Sequence, residues 1–345
     1  MKTHATISDI AHALGISKST VSRALTDSWE IKKETRDLVL ETARKMNYHP
    51  NAMAKNLTQR KSGTIGLILP EFETGFFASV LMGIQSVLNQ YDYRILITQS
   101  SESAESEKKN LELLLENQVE GLLVSACREG GNEQLFIDAL DSGIPIVFFN
   151  RVYDKVPVPK VVVDDQKMSA MAVRYLATLG ARRILHLSGP SNMAVSSGRL
   201  AGYKQALQDK GITYSPELVV EAGFSIKDGE KAMNHVLGSA SVRPDAVFAF
   251  NDQLAVGGMR AAQKAGLRIP EDIKFFGFSE GVLATAVEPS LSSVRQPTFS
   301  IGEKAADLLI HQITSGKFMG EMKVVMDGEI NIRESTNNLN TYETS

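Results

Sequence analysis

The sequence predicts an α/β fold: two doubly wound parallel-sheet subdomains behind a small all-α head. Two observations predict the subdomains and a third the head. From Gly63 onward, apolar β-branched runs alternate with amphipathic helical stretches, the signature of parallel strands covered by helices on both faces. These runs are too many for one small sheet, so the chain divides into two. Before Gly63 only short helical periodicities occur, separated by cap and turn residues.

Composition narrows the class. A chain of 345 residues with 43% apolar and 22% charged residues is an ordinary soluble globular protein, long enough for two or three domains. The single cysteine, Cys127, excludes an intrachain disulfide and a cysteine-rich zinc site. Asp9 and His12 interrupt the first segment before a signal-peptide core forms, and no stretch approaches the roughly 18 apolar residues of a membrane span. The expectation is a cytoplasmic protein with no membrane partner. Net charge is −3, yet residues 1–62 carry 11 Lys+Arg against 6 Asp+Glu. A basic head on an acidic body points to a polyanionic partner for the head, although a merely solvated basic face accounts for charge alone equally well.

Taking the elements in order, Thr6 caps a helix over Ile7, Ile10, Ala11 and Leu14, with Asp9 as the capping-box acid and Gly15 as the stop. Ser17 caps a second helix, "KSTVSRAL", with Val21, Ala24 and Leu25 on its apolar side. A third runs from about Lys32–Glu34 to Met46, with Val39, Ala43 and Met46 on one face. Two helices joined by a short glycine-containing turn, then a packing helix, form a helix-turn-helix pattern. The stretch "HPNAMAKNLTQR" follows. It reads as a helix capped by Asn51, but at about ten residues it is too short to be stable alone.

Beyond it, strands are expected in "TIGLILP", "YRILITQS", "VEGLLVSA", "IPIVFFN", "PKVVVDD", "RRILHLSG", "DAVFAFND", "IKFFGFS" and "LSSVRQP". Helices are expected over Phe77–Gln90, Ser106–Asn117, Asp165–Gly180 and Arg199–Gly211. Ligands in such folds sit at the carboxyl ends of strands. The polar tail 335–345 is expected to be disordered.

The run "TISDIAHALGISKSTVSRAL…TRDLVLETARKMNYHPNAMAKNL" resembles the DNA-binding head and hinge of the LacI/GalR family of bacterial transcription regulators. "GTIGLILP", "VEGLLV", "GIPIVFFNR", "SGRLAGY", "FNDQLAVGGMRAA" and "IPEDIKFFGF" extend the resemblance over about residues 4–335. It implies a head over 1–48, a hinge over 49–62 and a periplasmic-binding-protein-like core. The core subdomains are then 63–163 plus 296–322 and 164–295 plus 323–334, crossed near 160–165, 292–297 and 319–324. It further implies a homodimer on a double-stranded, pseudo-palindromic operator, controlled by a sugar or sugar-acid effector, and no cofactor. A nucleobase or sugar phosphate is the alternative effector. The tail has no leucine heptad, so a dimer is expected rather than a tetramer.

By the same resemblance Lys18 and Ser19 take the family's discriminating positions, and Arg23 pairs with a guanine, whose O6/N7 acceptors match its fork. Thr6, Ser17, Thr20 and Ser22 hold phosphates or cap helices. In the hinge, Asn51 caps, Ala52 and Ala54 permit close approach, Lys55 sits near phosphate, and Leu57 is the apolar wedge in the minor groove. Effector contacts are implied for Phe76, Phe77, Asn150, Asp164, Arg199, Phe224 and Asn251. One departure stands out: where many members place an aspartate that binds sugar hydroxyls, this chain has Ser279, followed by Glu280. An effector with its own negative charge, met by Arg128, Arg151 and Arg199, explains the loss; Glu280 as a substitute acid is the rival explanation.

Catalysis is not expected. No G-x-G-x-x-G follows a strand, no G-x-x-x-x-G-K-[ST] occurs, and the six histidines are scattered without metal-type spacing. His186, inside "RRILHLSG", reads as a packed strand residue. A secreted sugar-binding module would need a signal peptide and no head, the reverse of this sequence.

Overall fold

The computed structural model describes residues 5–25, 30–48, 62–72, 75–239 and 243–337, and the chain forms two compact units, Met1–Ser62 and Gly63–Ser345.

The first unit holds α1 (Ile7–Leu14), α2 (Lys18–Leu25) and α3 (Lys33–Lys45). The predicted caps of α1 are present. Thr6 Oγ1 accepts the Asp9 N–H while Asp9 returns a bond to the Thr6 N–H, and Gly15 ends α1 at φ 65°. This left-handed C-cap is open to glycine without the Cβ penalty. Ile10, Ala11, Val21, Ala24, Val39 and Ala43 make the buried core, with Leu14, Leu25 and Met46 packed around it. The hinge residues Asn51, Ala54, Lys55 and Leu57 lie outside the described residues.

The second unit contains two six-stranded sheets. Its strands are β1 (Thr64–Leu69), β2 (Arg94–Gln99), β3 (Leu122–Val124), β4 (Ile146–Phe149), β5 (Pro159–Val163) and β6 (Ile184–Ser188). They continue with β7 (Val219–Glu221), β8 (Ala246–Ala249), β9 (Lys274–Ser279), β10 (Ser292–Arg295), β11 (Met322–Met326) and β12 (Glu329–Asn331). One sheet runs β11-β5-β4-β3-β1-β2, all parallel; the other runs β12-β10-β9-β8-β6-β7, parallel except for β12. Central strands such as β3, β4 and β8 are buried along their whole length, as two-sided helical cover requires.

On the first sheet, α4 (Gly75–Leu88) and α12 (Thr298–Ser315) cover one face, while α5 (Ala104–Glu116) and α6 (Glu133–Asp141) cover the other. On the second, α9 (Ile226–Gly238) and α10 (Asp252–Lys264) oppose α7 (Asp165–Thr178) and α8 (Ala194–Asp209), with the short α11 (Leu283–Ala286) beside α10. The α4–α12 pair packs backbone to backbone. A Cβ on Gly83 would lie 2.0 Å from the Phe299 carbonyl oxygen, and one on Gly302 would lie 2.0 Å from that of Val80. Among the described residues no helix is long and apolar enough to cross a membrane.

Each strand expected from the sequence forms. The short β7, β11 and β12 were not anticipated, because three to five half-exposed residues carry little periodic signal. Two boundaries change as a result. β11 pairs in parallel with β5, so the third passage between subdomains falls after Met326 instead of at 319–324. Residues 323–326 therefore belong to the first sheet. The tail also starts later than expected: Ser335 and Thr336 are buried, and Ser335 Oγ donates to the Phe275 carbonyl at 2.7 Å.

Candidate functional site

In the head, the hydroxyls at the start of α2 form one cluster. Ser17 Oγ accepts the Thr20 N–H at 3.0 Å and lies 2.7 Å from Ser19 Oγ and 2.8 Å from Thr20 Oγ1. Ser17 is thus the N-cap that the helix start needs, and Thr6 has the same duty at α1. Lys18, Ser19 and Arg23 are exposed, whereas Thr20 and Ser22 are half-buried. Arg23 is also paired: its Nη1 lies 3.1 Å from Glu30 Oε2. Glu30 escaped the sequence reading because it sits beyond the helix, seven residues on.

In the core, a cavity of about 660 Å³ opens between the two subdomains. Arg128, Asn150, Arg151 and Lys323 line it from the first, and Asp164, Asn192, Met193 and Val195 from the second. Apart from Lys323, which lies within β11, these residues follow the carboxyl ends of β3, β4, β5 and β6, where the topology predicts a ligand. Asn150 turns the chain after β4 at φ 58°, a left-handed position that asparagine tolerates. Asp164 caps α7, accepting the Lys167 N–H at 2.9 Å.

Of the implied effector residues, Asn150 and Asp164 line this cavity, and Phe224 stands against two of its lining residues. Phe76 is half-buried in the first turn of α4, edge-on to Phe77 at 5.0 Å, and Phe77 is core. Phe224 faces the first subdomain: the Arg128 and Arg151 guanidinium carbons lie 5.9 and 5.8 Å from its ring centroid. Asn192 adds a bond across the cleft, from Nδ2 to the Arg128 carbonyl at 3.2 Å. Asn251 caps α10 through Oδ1 (2.8 Å to the Leu254 N–H) and ties down the Phe224 carbonyl through Nδ2 at 3.0 Å. Arg199 is 4% exposed and donates to Asp165 and to the Phe250 carbonyl, with its guanidinium carbon 3.7 Å from the Phe278 ring centroid. Burial pushes the Asp165 carboxyl up and the Arg199 guanidinium down, and each charge opposes the other's shift.

Ser279 Oγ accepts a bond from Gln296 Nε2 at 3.0 Å. The neighbouring Glu280 is committed within the protein. Its carboxylate is spent on Arg333 and on Asn331 Nδ2 at 2.7 Å, with 11% of the side chain exposed. The nearby Asp252 is buried beneath Ser293 Oγ (2.6 Å) and the Gly281 N–H (2.7 Å), and burial pushes its carboxyl up to about 6.

The counter-charge expectation changes as well. Arg151 is already matched by Glu102 at 2.7 Å and Arg199 by Asp165, while Glu129, Glu133, Asp154 and Asp164 add carboxylates to the lining. Cys127 and Tyr153 line the cavity and share a partner behind it: the fully buried Glu107 accepts the Cys127 N–H at 2.7 Å and the Tyr153 hydroxyl at 2.6 Å. Burial, then Glu107, push the Tyr153 and Cys127 pKa values up, so the thiol is protonated and unreactive at neutral pH.

A basic helix-turn-helix unit and a two-sheet core with an inter-subdomain cavity define a ligand-responsive DNA-binding protein. The chain belongs to the LacI family of bacterial regulatory proteins: residues 6–51 match that family's head, and residues 62–328 match the periplasmic binding proteins and sugar binding domain of the LacI family. It is similar to the HTH-type transcriptional repressor CytR of Escherichia coli K12, with 32% identity over 335 residues, or 97% of each chain. Among solved structures it resembles a transcriptional regulator CelR–cellobiose complex, at 28% identity and TM-score 0.73 over 96% of this chain and 99% of that one. It shares the fold of a Lac repressor dimer bound to operator and the anti-inducer ONPF, at 24% identity and TM-score 0.85 over 97% and 99%.

Proposed function

We propose that this protein represses genes for carbohydrate uptake or catabolism, binds its operator as a homodimer, and is released or tightened by a small sugar in the core cleft. The observation that carries the reading is the cavity of about 660 Å³ walled by both subdomains. A ligand that touches both walls differs in affinity between open and closed arrangements, and that difference is what shifts the population. The relative solved with cellobiose supports a carbohydrate, and the operator-bound Lac repressor dimer supports the assembly. The role is binding in the cytoplasm, where the DNA is, and not catalysis.

The charge arrangement favours a neutral polyhydroxylated ligand over a sugar acid, since Arg151 already has Glu102 as its partner and Glu129, Glu133, Asp154 and Asp164 line the cavity. Between core and head, Asn51, Ala54, Lys55 and Leu57 act as a hinge helix that folds over the operator's minor groove, with Leu57 as its wedge. A thermal-shift screen of neutral sugars against their aldonates, followed by calorimetry and operator-release assays, tests the proposal. A neutral sugar is expected to bind and to change operator affinity; an aldonate binding as tightly, or a ligand leaving operator affinity unchanged, overturns it.

A further inference from the structure

Glu102 lies behind the cleft wall, yet it organises that wall. It follows β2 beside Ser101, and both residues sit at positive φ, 63° and 50°, a backbone state that costs energy for side chains other than glycine. What this conformation achieves is a double contact. Glu102 Oε2 accepts the Arg128 N–H at 2.9 Å, and both its oxygens accept Arg151 Nη1, at 2.7 and 2.9 Å. The ion pair is largely out of water, with 17% of the Glu102 side chain and 14% of Arg151 exposed. The two arginines it holds are those whose guanidinium groups face Phe224 across the cleft.

A half-desolvated guanidinium without a partner attracts any anion that fits, because little water is left to compete. With Glu102 in place, Arg151 is already neutralised. An incoming phosphate or carboxylate must displace a carboxylate held by Arg151 Nη1 or lie beside its charge. A neutral hydroxylated ligand meets no such penalty.

We propose that Glu102 is the charge-selectivity residue of the cleft: it cancels Arg151, excludes anionic ligands, and positions Arg128 and Arg151 against Phe224. The inference rests on reading the cleft as the ligand site, and it acts through Arg151 without Glu102 touching ligand.

Inorganic phosphate is the probe, titrated into the full-length protein by calorimetry and melting at matched ionic strength. The wild type is expected to give no phosphate-specific response. Glu102→Gln keeps an acceptor for the Arg128 N–H but deletes the charge, and is expected to gain at least about tenfold in phosphate affinity. Adding Arg151→Met to it should remove the gain, while Glu102→Asp, which keeps the charge, should stay unresponsive. A Glu102→Gln protein that is folded but blind to phosphate overturns the proposal. So does a wild-type phosphate response abolished by Arg151→Met, a result that needs no Glu102 variant to fold. If the phosphate pattern appears but no neutral sugar binds, the sugar reading fails and the charge gate stands.

Discussion

Arg199 Nε donates to Asp165 Oδ1 at 2.8 Å, and Nη1 of the same guanidinium donates to the carbonyl of Phe250. One side chain therefore joins the first turn of α7 to the segment after β8, with Phe250 and Phe278 rings against its guanidinium at 4.4 and 3.7 Å. Asp165 also lines the cavity, so Arg199 holds a residue of the cavity wall in place.

Removing Arg199 leaves Asp165 buried without its cation. Arg199→Ala is expected to cost about 3–5 kcal/mol, measured by urea unfolding. The Arg199→Met, Asp165→Asn double variant should recover part of that loss, because no unpaired charge remains. A double variant as unstable as the two single changes added together would show that packing, not charge, dominates.

Arg23→Ala should relax preference at one base pair per half-site, costing about 1–3 kcal/mol there. Selection of binding sites from a random DNA library, with wild type and variant compared, reads this directly. Equal loss on all sequences would make Arg23 a phosphate contact. Glu30→Gln, which deletes the anion 3.1 Å from Arg23, should raise affinity for all DNA a few-fold at low salt, because electrostatic binding is sequence-independent.

Gly83→Ala places a methyl group 2.0 Å from the Phe299 carbonyl oxygen. Neither helix backbone can yield without moving off the sheet, so α4 and α12 must separate. A loss of at least about 1–3 kcal/mol is expected, together with faster amide exchange along both helices. Ala at the exposed helix-end position Gly75, where a Cβ meets nothing within 4 Å, is the control and should change stability little.

His186 is stacked between Tyr203 and Phe248, with centroids at 5.3 and 5.0 Å, and its Nδ1 lies 3.0 Å from the Phe248 carbonyl. Burial pushes its pKa down to about 4. The unfolded chain, with an ordinary value near 6.5, therefore binds more protons in between. Stability from this group is full above about 6.5 and declines as pH falls toward 4, by up to about 1.4 kcal/mol per unit. Asp252 acts in the opposite sense over about pH 4–6, its carboxyl being raised to about 6, so the net curve hides the effect. The difference in stability between wild type and His186→Phe isolates it. That difference should move in favour of the wild type as pH rises from 4 to 6.5; a flat difference would mean that His186 is not the titrating group.

Much of this protein was legible in the sequence because the relevant information is local. Period-two and apolar runs such as "TIGLIL" and "IVFF" become β1 and β4, and the Thr6–Asp9 box with Gly15 bounds α1 to the residue. Each depends on neighbours within four positions, where backbone geometry alone decides which side chains share a face. What the tertiary structure decided is which distant groups meet. Glu102 reaches Arg151, Asp165 reaches Arg199, and Glu280 is taken by Arg333, although nothing in "SSESAESE" or "VDDQK" marks one carboxylate over the next. The strand "MKVVM" shows the same limit: its residues permit a strand, but only the crossover that returns it beside β5 assigns it to the first sheet. Periodicity is a property of a segment, whereas partnership among charges depends on how crossover connections bring strand ends together, and that is set by the whole chain.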